Sequence, residues 1–293
     1  MIKPAELPLN SRGAVYHLDL LPEELADLII TVGDPGRVQQ VSRHFDSVEL
    51  KRIHREFVTH TGYIGQQRIS VISTGIGVPN VDIVMNELDA LVNIDLATRM
   101  PYEKTKQLTI IRLGTTGSLQ ESSRPGDMVI SHFAVGFDTL LDYYQSNFSP
   151  ELIAMHTALA DHLAEACGSF YLVEADNTLR ELFKDLGAAA ITATCGGFYG
   201  PQGRRLRIPL RYPHLLEKLA TFNFSNLKIL NFEMETAGIL GLGQLLGHRC
   251  ISVSVTIANR ITGEFAENIQ KQVEHLIIKA LQYMGHLSSD SSS

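Results

Sequence analysis

Residues 108–117 read LTIIRLGTTG: an arginine set inside an apolar, β-branched run, then two threonines between glycines. Residues 108–113 have the length and composition of a strand buried in a sheet. Gly114 closes that run, and a glycine at a strand's carboxyl end lets the backbone approach a ligand. Arg112 is the anomaly. A guanidinium among apolar neighbours must be paired with a carboxylate or must bind an anion. Thr115 offers a second donor to such an anion. The residues alone leave both readings open.

Outward from this segment the same pattern recurs. Residues 28–32, 69–73, 128–131, 188–194 and 250–257 also read as strands. Residues 80–98, 150–166, 235–246 and 267–287 carry apolar side chains at helical spacing. Strands alternating with helices predict an α/β chain with a parallel or mixed sheet. Three more strands run into glycine, at Val32-Gly33, Thr74-Gly75 and Cys195-Gly196-Gly197. Four such ends predict one shared site at the carboxyl edge of the sheet. Residues 1–287 read as one domain, and the closing SSDSSS (288–293) reads as a disordered polar tail.

Composition narrows the function. The 293 residues are 44% hydrophobic and 19% charged, with formal charge −7 and pI near 5.9. That balance argues against a nucleic-acid surface, which needs a basic stripe. No run of about 18 apolar residues suggests a membrane span, and the start lacks the apolar core of a secretory signal. Cys167, Cys195 and Cys250 are odd in number and far apart, which predicts buried, reduced thiols in a cytoplasmic protein. HExxH, CxxC and EF-hand spacings are absent from the sequence, so no metal site is expected. A dinucleotide site is not expected either: no G-x-G-x-x-G follows the first strand.

Four further segments carry chemistry. In GDPGR (33–37) a strand end, a tight Pro35-Gly36 turn and Arg37 form an anion cradle or an ordinary surface turn. FYGPQGR (198–204) joins the flat face of Phe198 to Gln202, a donor and acceptor, and Arg204, a donor. That set suits a planar heterocycle, or a solvated loop. HREF (54–57) reads as a solvated charge run. NFEMETAG (231–238) brackets Met234 with Glu233 and Glu235 just before an apolar helix, a costly placement unless something binds the carboxylates. An extended segment up to Thr236 would put both carboxylates on one face.

Taken in order, GDPGR, HREF, STGIGVPN, RLGTTGSL, FYGPQGR and NFEMETAG resemble the pyrimidine, uridine phosphorylase branch of the nucleoside phosphorylase family, from about Tyr16-His17 to Asn259-Arg260. The resemblance implies a three-layer α/β fold, a central mixed twisted sheet flanked by helices. It implies phosphorolysis of uridine or a related pyrimidine nucleoside, phosphate attacking the ribose anomeric carbon without a cofactor. Gly33, Arg37, Arg112 and Thr115 would then bind phosphate, together with Arg55 from a neighbouring subunit. Phe198, Gln202 and Arg204 would hold the base, with Arg260 at its border. Met234, Glu235 and Glu233 would line the ribose site, and His17 of the neighbour would reach the 5′-hydroxyl. Arg112, Gln202, Arg204 and Glu235 would carry the catalysis. Borrowed residues imply a homo-oligomer, at least a dimer and in some relatives a hexamer.

The sequence departs from that family in three places. Asn259 stands near where purine phosphorylases carry an acid, which argues for a pyrimidine. Glu56 and Ile76 match a monovalent-cation site between subunits, but Asn80 replaces its serine, which argues against that ion. Gly196-Gly197 replaces bulkier polar residues before Phe198, which bears on pocket width. The rival expectations are a purine or broad-specificity phosphorylase, a hydrolytic nucleosidase of the same superfamily, and a nucleoside-binding protein without activity.

Overall fold

The structure is a computed structural model and describes residues 1–146 and 148–288; most of the tail expected over 288–293 lies outside the described residues. The first strand, β1 (Leu28–Val32), is buried at every position, as a strand covered on both faces must be. It leads through Asp34 into α1 (Pro35–Ser42). An antiparallel run follows, β2 (Ser47–His54), β3 (Phe57–Ile64) and β4 (Gln67–Ser73), and then α2 (Val78–Asn93). A two-strand hairpin, β5 (Ile94–Asp95) and β6 (Met100–Pro101), precedes the long β7 (Thr109–Ser118) and β8 (Met128–Phe137). Next come α3 (Pro150–Leu163), β9 (Tyr171–Glu174), α4 (Asn177–Phe183) and β10 (Ala188–Cys195). The chain ends with α5 (Leu215–Thr221), β11 (Asn223–Phe224), β12 (Leu227–Glu233), α6 (Thr236–Leu246), β13 (Arg249–Asn259) and α7 (Ile269–Met284).

Eleven strands form one mixed sheet in the order β11-β12-β10-β8-β13-β7-β1-β4-β3-β2, with β9 on β8. The three-layer arrangement implied by the resemblance is present, with helices flanking that sheet. β1 lies parallel to both β4 and β7, and β7 runs parallel to β13. One feature goes beyond the expectation. β12 also pairs antiparallel with β7, at Asn231–Ser118 and Phe232–Gly117. Strands β7, β12, β10, β8 and β13 therefore close into a ring at one end of the sheet. One hydrophobic cluster gathers β1, β4, β7 and β13 with α2, α6 and α7. A second gathers β8, β10 and β12 with α3 and α5.

Several expected boundaries move, each for a physical reason. The strand over 108–113 continues to Ser118, because β13 pairs with it residue by residue through the threonines. Gly114 is thus inside a strand and does not end one. The helix expected over 80–98 stops at Asn93, because the carboxylate of Asp95 collects the amides of Ala97 and Thr98 and starts a turn. Pro35 and Gly36 belong to the first turn of α1, and the turn itself is Gly33-Asp34. HREF is the tip of the β2–β3 hairpin, with Arg55 in the left-handed region at φ 55°. The partly exposed β2 hid it: charged edge strands blur the apolar alternation. Cys195 and Cys250 are buried as expected, whereas Cys167 is half-exposed; all three are free.

Candidate active site

A cavity of about 690 Å³ opens where β1, β4, β7, β12 and β13 end. β1 and β4 run side by side to this point, where the Thr74 amide donates to the Val32 carbonyl at 2.8 Å. Gly33, Arg37, Arg112, Thr115, Phe198, Gln202, Arg204, Glu233, Met234 and Glu235 all line this one space. His17, Arg55 and Arg260 do not.

One end of the cavity is cationic. Arg37 follows the N-cap Asp34, whose carboxylate takes the Gly36 amide at 2.8 Å. That amide is therefore not available to an anion as the sequence suggested. The Arg37 guanidinium gives one hydrogen bond, to the Leu113 carbonyl at 3.2 Å, and forms no ion pair among the described residues. Burial, then repulsion from Arg112, lower its pKa. Thr115, half-buried, lines the same cavity with its hydroxyl unpartnered among the described residues.

Arg112 realises the ion-pair reading. Its Nη2 sits 2.6 Å from Glu235 and 3.0 Å from Glu233, and all three side chains are nearly sealed from solvent. Nη1 makes only long contacts to the hydroxyls of Ser252 and Ser254, at 3.5 and 3.3 Å. The missing side chain of Gly114 makes room for this group: a Cβ there would fall 1.7 Å from Nη1. Hydroxyls stand behind Arg112 because Ser252 and Ser254 alternate with valines along β13, turning one face of a buried strand polar.

The two glutamates have different duties. Glu233 ends β12 and accepts from the amides of Glu235 and Thr236 at 2.9 Å each and from the Thr194 hydroxyl. It therefore holds the first turn of α6, where a negative charge is favoured. Glu235 is the N-cap of α6 and bonds the Gly77 amide at 2.6 Å and Arg112. Burial, with Glu233 adding repulsion, raises its pKa, although Arg112 and the Gly77 amide oppose the shift. α6 begins at Thr236, and Met234 breaks from strand geometry to line the cavity.

The other end is aromatic and polar. Gln202 is buried in a short 3-10 turn, and Gly203 takes the left-handed conformation at φ 68° that reverses the chain. Arg204 turns back to donate to the Phe198 carbonyl at 2.6 Å and to the Gln202 side chain. Its guanidinium also covers the Phe198 ring, 3.7 Å from the centroid. Burial and nearby Arg260 push the Arg204 pKa down to about 10. Arg260 stands behind this loop, donating to the Gln202 carbonyl at 3.0 Å. Asn259 faces away from the cavity. Its amide holds Gln120, Ser123, Ile261 and Thr262 together.

Sequence reasoning missed Phe265, Ile257 and Phe232 among the lining residues. Phe265, 63% exposed, was the legible one, an aromatic in a polar turn. Glu56, Ile76 and Asn80 also reach the rim, with Asn80 crowded against Gly75. His17 and Arg55 flank Tyr16 in a separate corner, where the Arg55 guanidinium lies 5.5 Å from the centre of the Tyr16 ring and the His17 ring stands edge-on to it. No helix is long and apolar enough to cross a membrane among the described residues.

The family model of the phosphorylase superfamily matches residues 27–284. A uridine phosphorylase of Thermococcus kodakarensis is 30% identical over 280 residues, covering 96% of this chain and 90% of the relative. A purine nucleoside phosphorylase of the DeoD type from Buchnera aphidicola is 27% identical over 252 residues, covering 84% of this chain and 85% of that one. Among solved structures, a Trypanosoma brucei nucleoside phosphorylase described as showing uridine phosphorylase activity superposes with a TM-score of 0.85 at 30% identity, covering 94% of this chain and 99% of the other. The chain belongs to the phosphorylase superfamily and is an enzyme of its pentosyltransferase class.

Proposed function

We propose that the enzyme cleaves uridine, or a closely related pyrimidine nucleoside, with phosphate to give the free base and ribose 1-phosphate. One observation carries this reading: a single cavity has guanidinium groups at one end, carboxylates in its middle, and a ring, an amide and a guanidinium at its other end. Phosphate would lie by Arg37, Arg112, Thr115 and Gly33, joined by Arg55 from a neighbouring copy. Glu235 would accept hydrogen bonds from the ribose hydroxyls, with Met234 against the sugar and the neighbour's His17 at the 5′-hydroxyl. Glu233, committed to the start of α6, would act on the sugar only through Glu235 and Arg112. Arg204 would leave the Phe198 face as the base enters, and with Gln202 would stabilise the charge that develops on it. Arg260 would hold that loop from behind.

Phosphate is the nucleophile, so the protein supplies orientation and charge and needs no further cofactor. Aligning the two substrates removes up to roughly 7–11 kcal/mol of barrier in favourable cases. Asn259 supports a pyrimidine preference: its NH2 is taken by the Gln120 and Ser123 carbonyls and its oxygen by the Ile261 and Thr262 amides, so it offers no acid to a purine nitrogen. The site would be completed in a homo-oligomer, consistent with a role in nucleoside salvage.

The test is release of base from a panel of nucleosides with and without phosphate. Uridine cleavage that needs phosphate is expected, with ribose 1-phosphate formed in equal amount. Equal rates in phosphate-free buffer would make the enzyme a hydrolase. Faster turnover of inosine or adenosine would overturn the pyrimidine preference.

A further inference from the structure

We infer that Glu87 is a positioning residue, holding His17 in one orientation and one tautomer so that the corner carrying His17 and Arg55 forms a rigid arm for a neighbouring copy's site. This deepens the function proposed above and rests on it.

Glu87 sits on a largely apolar stretch of α2 and is buried, an expensive place for a carboxylate. Neither lysine nor arginine pairs with it among the described residues. Its partners come instead from a turn about seventy positions earlier in the chain. The His17 amide donates to it at 3.0 Å, the Leu18 amide at 2.8 Å and the His17 ring through Nδ1 at 2.6 Å. A carboxylate accepts and does not donate, so Nδ1 carries a proton, and in the neutral imidazole Nε2 then keeps its lone pair. The ring then presents an acceptor, which suits a sugar hydroxyl. The same corner is braced from the β2–β3 hairpin, where His54 Nδ1 donates to the His17 carbonyl at 2.9 Å. Tyr16 stands edge-on to both imidazoles and contacts Arg55 through its hydroxyl at 3.4 Å. Neither His17 nor Arg55 lines this copy's own cavity. Two amide bonds would suffice to fix the turn; the contact to Nδ1 adds control of the ring.

The experiment compares uridine with 5′-deoxyuridine in wild type, Glu87→Gln, His17→Ala and the double variant, with Glu87→Asp as the carboxylate-retaining control. A glutamine that keeps its oxygen on the amides turns its NH2 towards Nδ1 and reverses the ring's polarity. Glu87→Gln is therefore expected to lower kcat/KM for uridine by about tenfold, the worth of one hydrogen bond. It should leave 5′-deoxyuridine unchanged, add nothing to His17→Ala, and be partly rescued by Glu87→Asp. Equal losses on both substrates, or a loss that multiplies with His17→Ala, would reduce Glu87 to a structural brace. If wild type cleaves no nucleoside, the function proposed above fails on its own. Nitrogen-15 spectra of the histidines still decide the tautomer: His17 protonated at Nδ1 in wild type and altered in Glu87→Gln supports the inference, and an unchanged tautomer refutes it.

Discussion

Replacing Glu235 with glutamine separates catalysis from stability at this site. The carboxylate has two contacts, the Gly77 amide at 2.6 Å and Arg112 at 2.6 Å. Glutamine has one acceptor, so either its NH2 faces the guanidinium or the Gly77 amide loses its partner. The lost bond involves a charged group and is worth about 1.5–3 kcal/mol. Two effects offset part of that. Arg112 keeps Glu233 at 3.0 Å, and removing one of two adjacent buried carboxylates relieves the repulsion that helps raise the Glu235 pKa. A net loss of about 1–2 kcal/mol follows, a fall in Tm of roughly 2–8 °C for a chain of this size. A domain stable by about 5–15 kcal/mol remains folded at 25 °C after such a loss. Any fall in rate there is therefore chemical. Losing one preorganised charge at the ribose should lower kcat by about 10²-fold or more. The assay is initial-rate phosphorolysis at saturating phosphate, with thermal melts of the same samples. A wild-type kcat beside a lowered Tm would refute the reasoning and leave Glu235 as a structural tie between Gly77 and Arg112.

Gly114→Ala should act like removal of Arg112, since a Cβ 1.7 Å from Nη1 displaces the guanidinium from both carboxylates; breaking such a buried pair costs about 3–5 kcal/mol, visible as a large drop in Tm with loss of activity. Arg204→Ala should lower kcat/KM for uridine by about 10²–10³-fold while the KM for phosphate changes less than about twofold; matching losses in both would make the loop a structural element. Arg12, Asp19, Glu24 and Arg52 form a cluster at the edge of the sheet. Burial alone would raise the two carboxyl pKa values, but the Leu21 amide on Glu24, Asn10 on Asp19, and hydrogen bonds and charge from the arginines on both hold them below the ordinary carboxylate values of 3.8 and 4.5. Their stabilisation is therefore complete above about pH 4.5 and fades as pH falls through the lowered values, so the Tm difference between wild type and Arg12→Ala should shrink below that pH.

The buried half of the fold was legible because buried parallel strands write themselves as unbroken apolar runs: β1 was read to the residue, and β4 and β10 to within two. The hairpin β2–β3 was not: charge dilutes the alternation of β2 at the sheet edge, and β3, though mostly buried, interrupts its apolar positions with threonines, a histidine and a glycine. Closure of the ring through β12 and β7 rests on two backbone pairings far apart in the chain, and single-segment patterns carry no such information. At the site, ten of the residues singled out in the sequence, Gly33 among them, line one cavity. Their partners were not legible. Nothing in GDPGR says that Asp34 takes the Gly36 amide, and nothing in NFEMETAG says which glutamate serves the backbone.

The two readings that the sequence left open for Arg112 are complementary. A guanidinium has two outer nitrogens, and here only one is committed to carboxylates, while the other makes two long contacts to hydroxyls. One negative partner, Glu233, is tied to the start of α6; the other, Glu235, is tied by a single amide. Arg112 thus fixes the carboxylate that the sugar would meet while its charge still bears on the cationic end of the cavity. Arg37 feels that charge as repulsion and has no carboxylate of its own among the described residues. A dianion placed between the two would relieve that repulsion, and under the proposed function the cost of burying Arg37 would become the source of its affinity for phosphate.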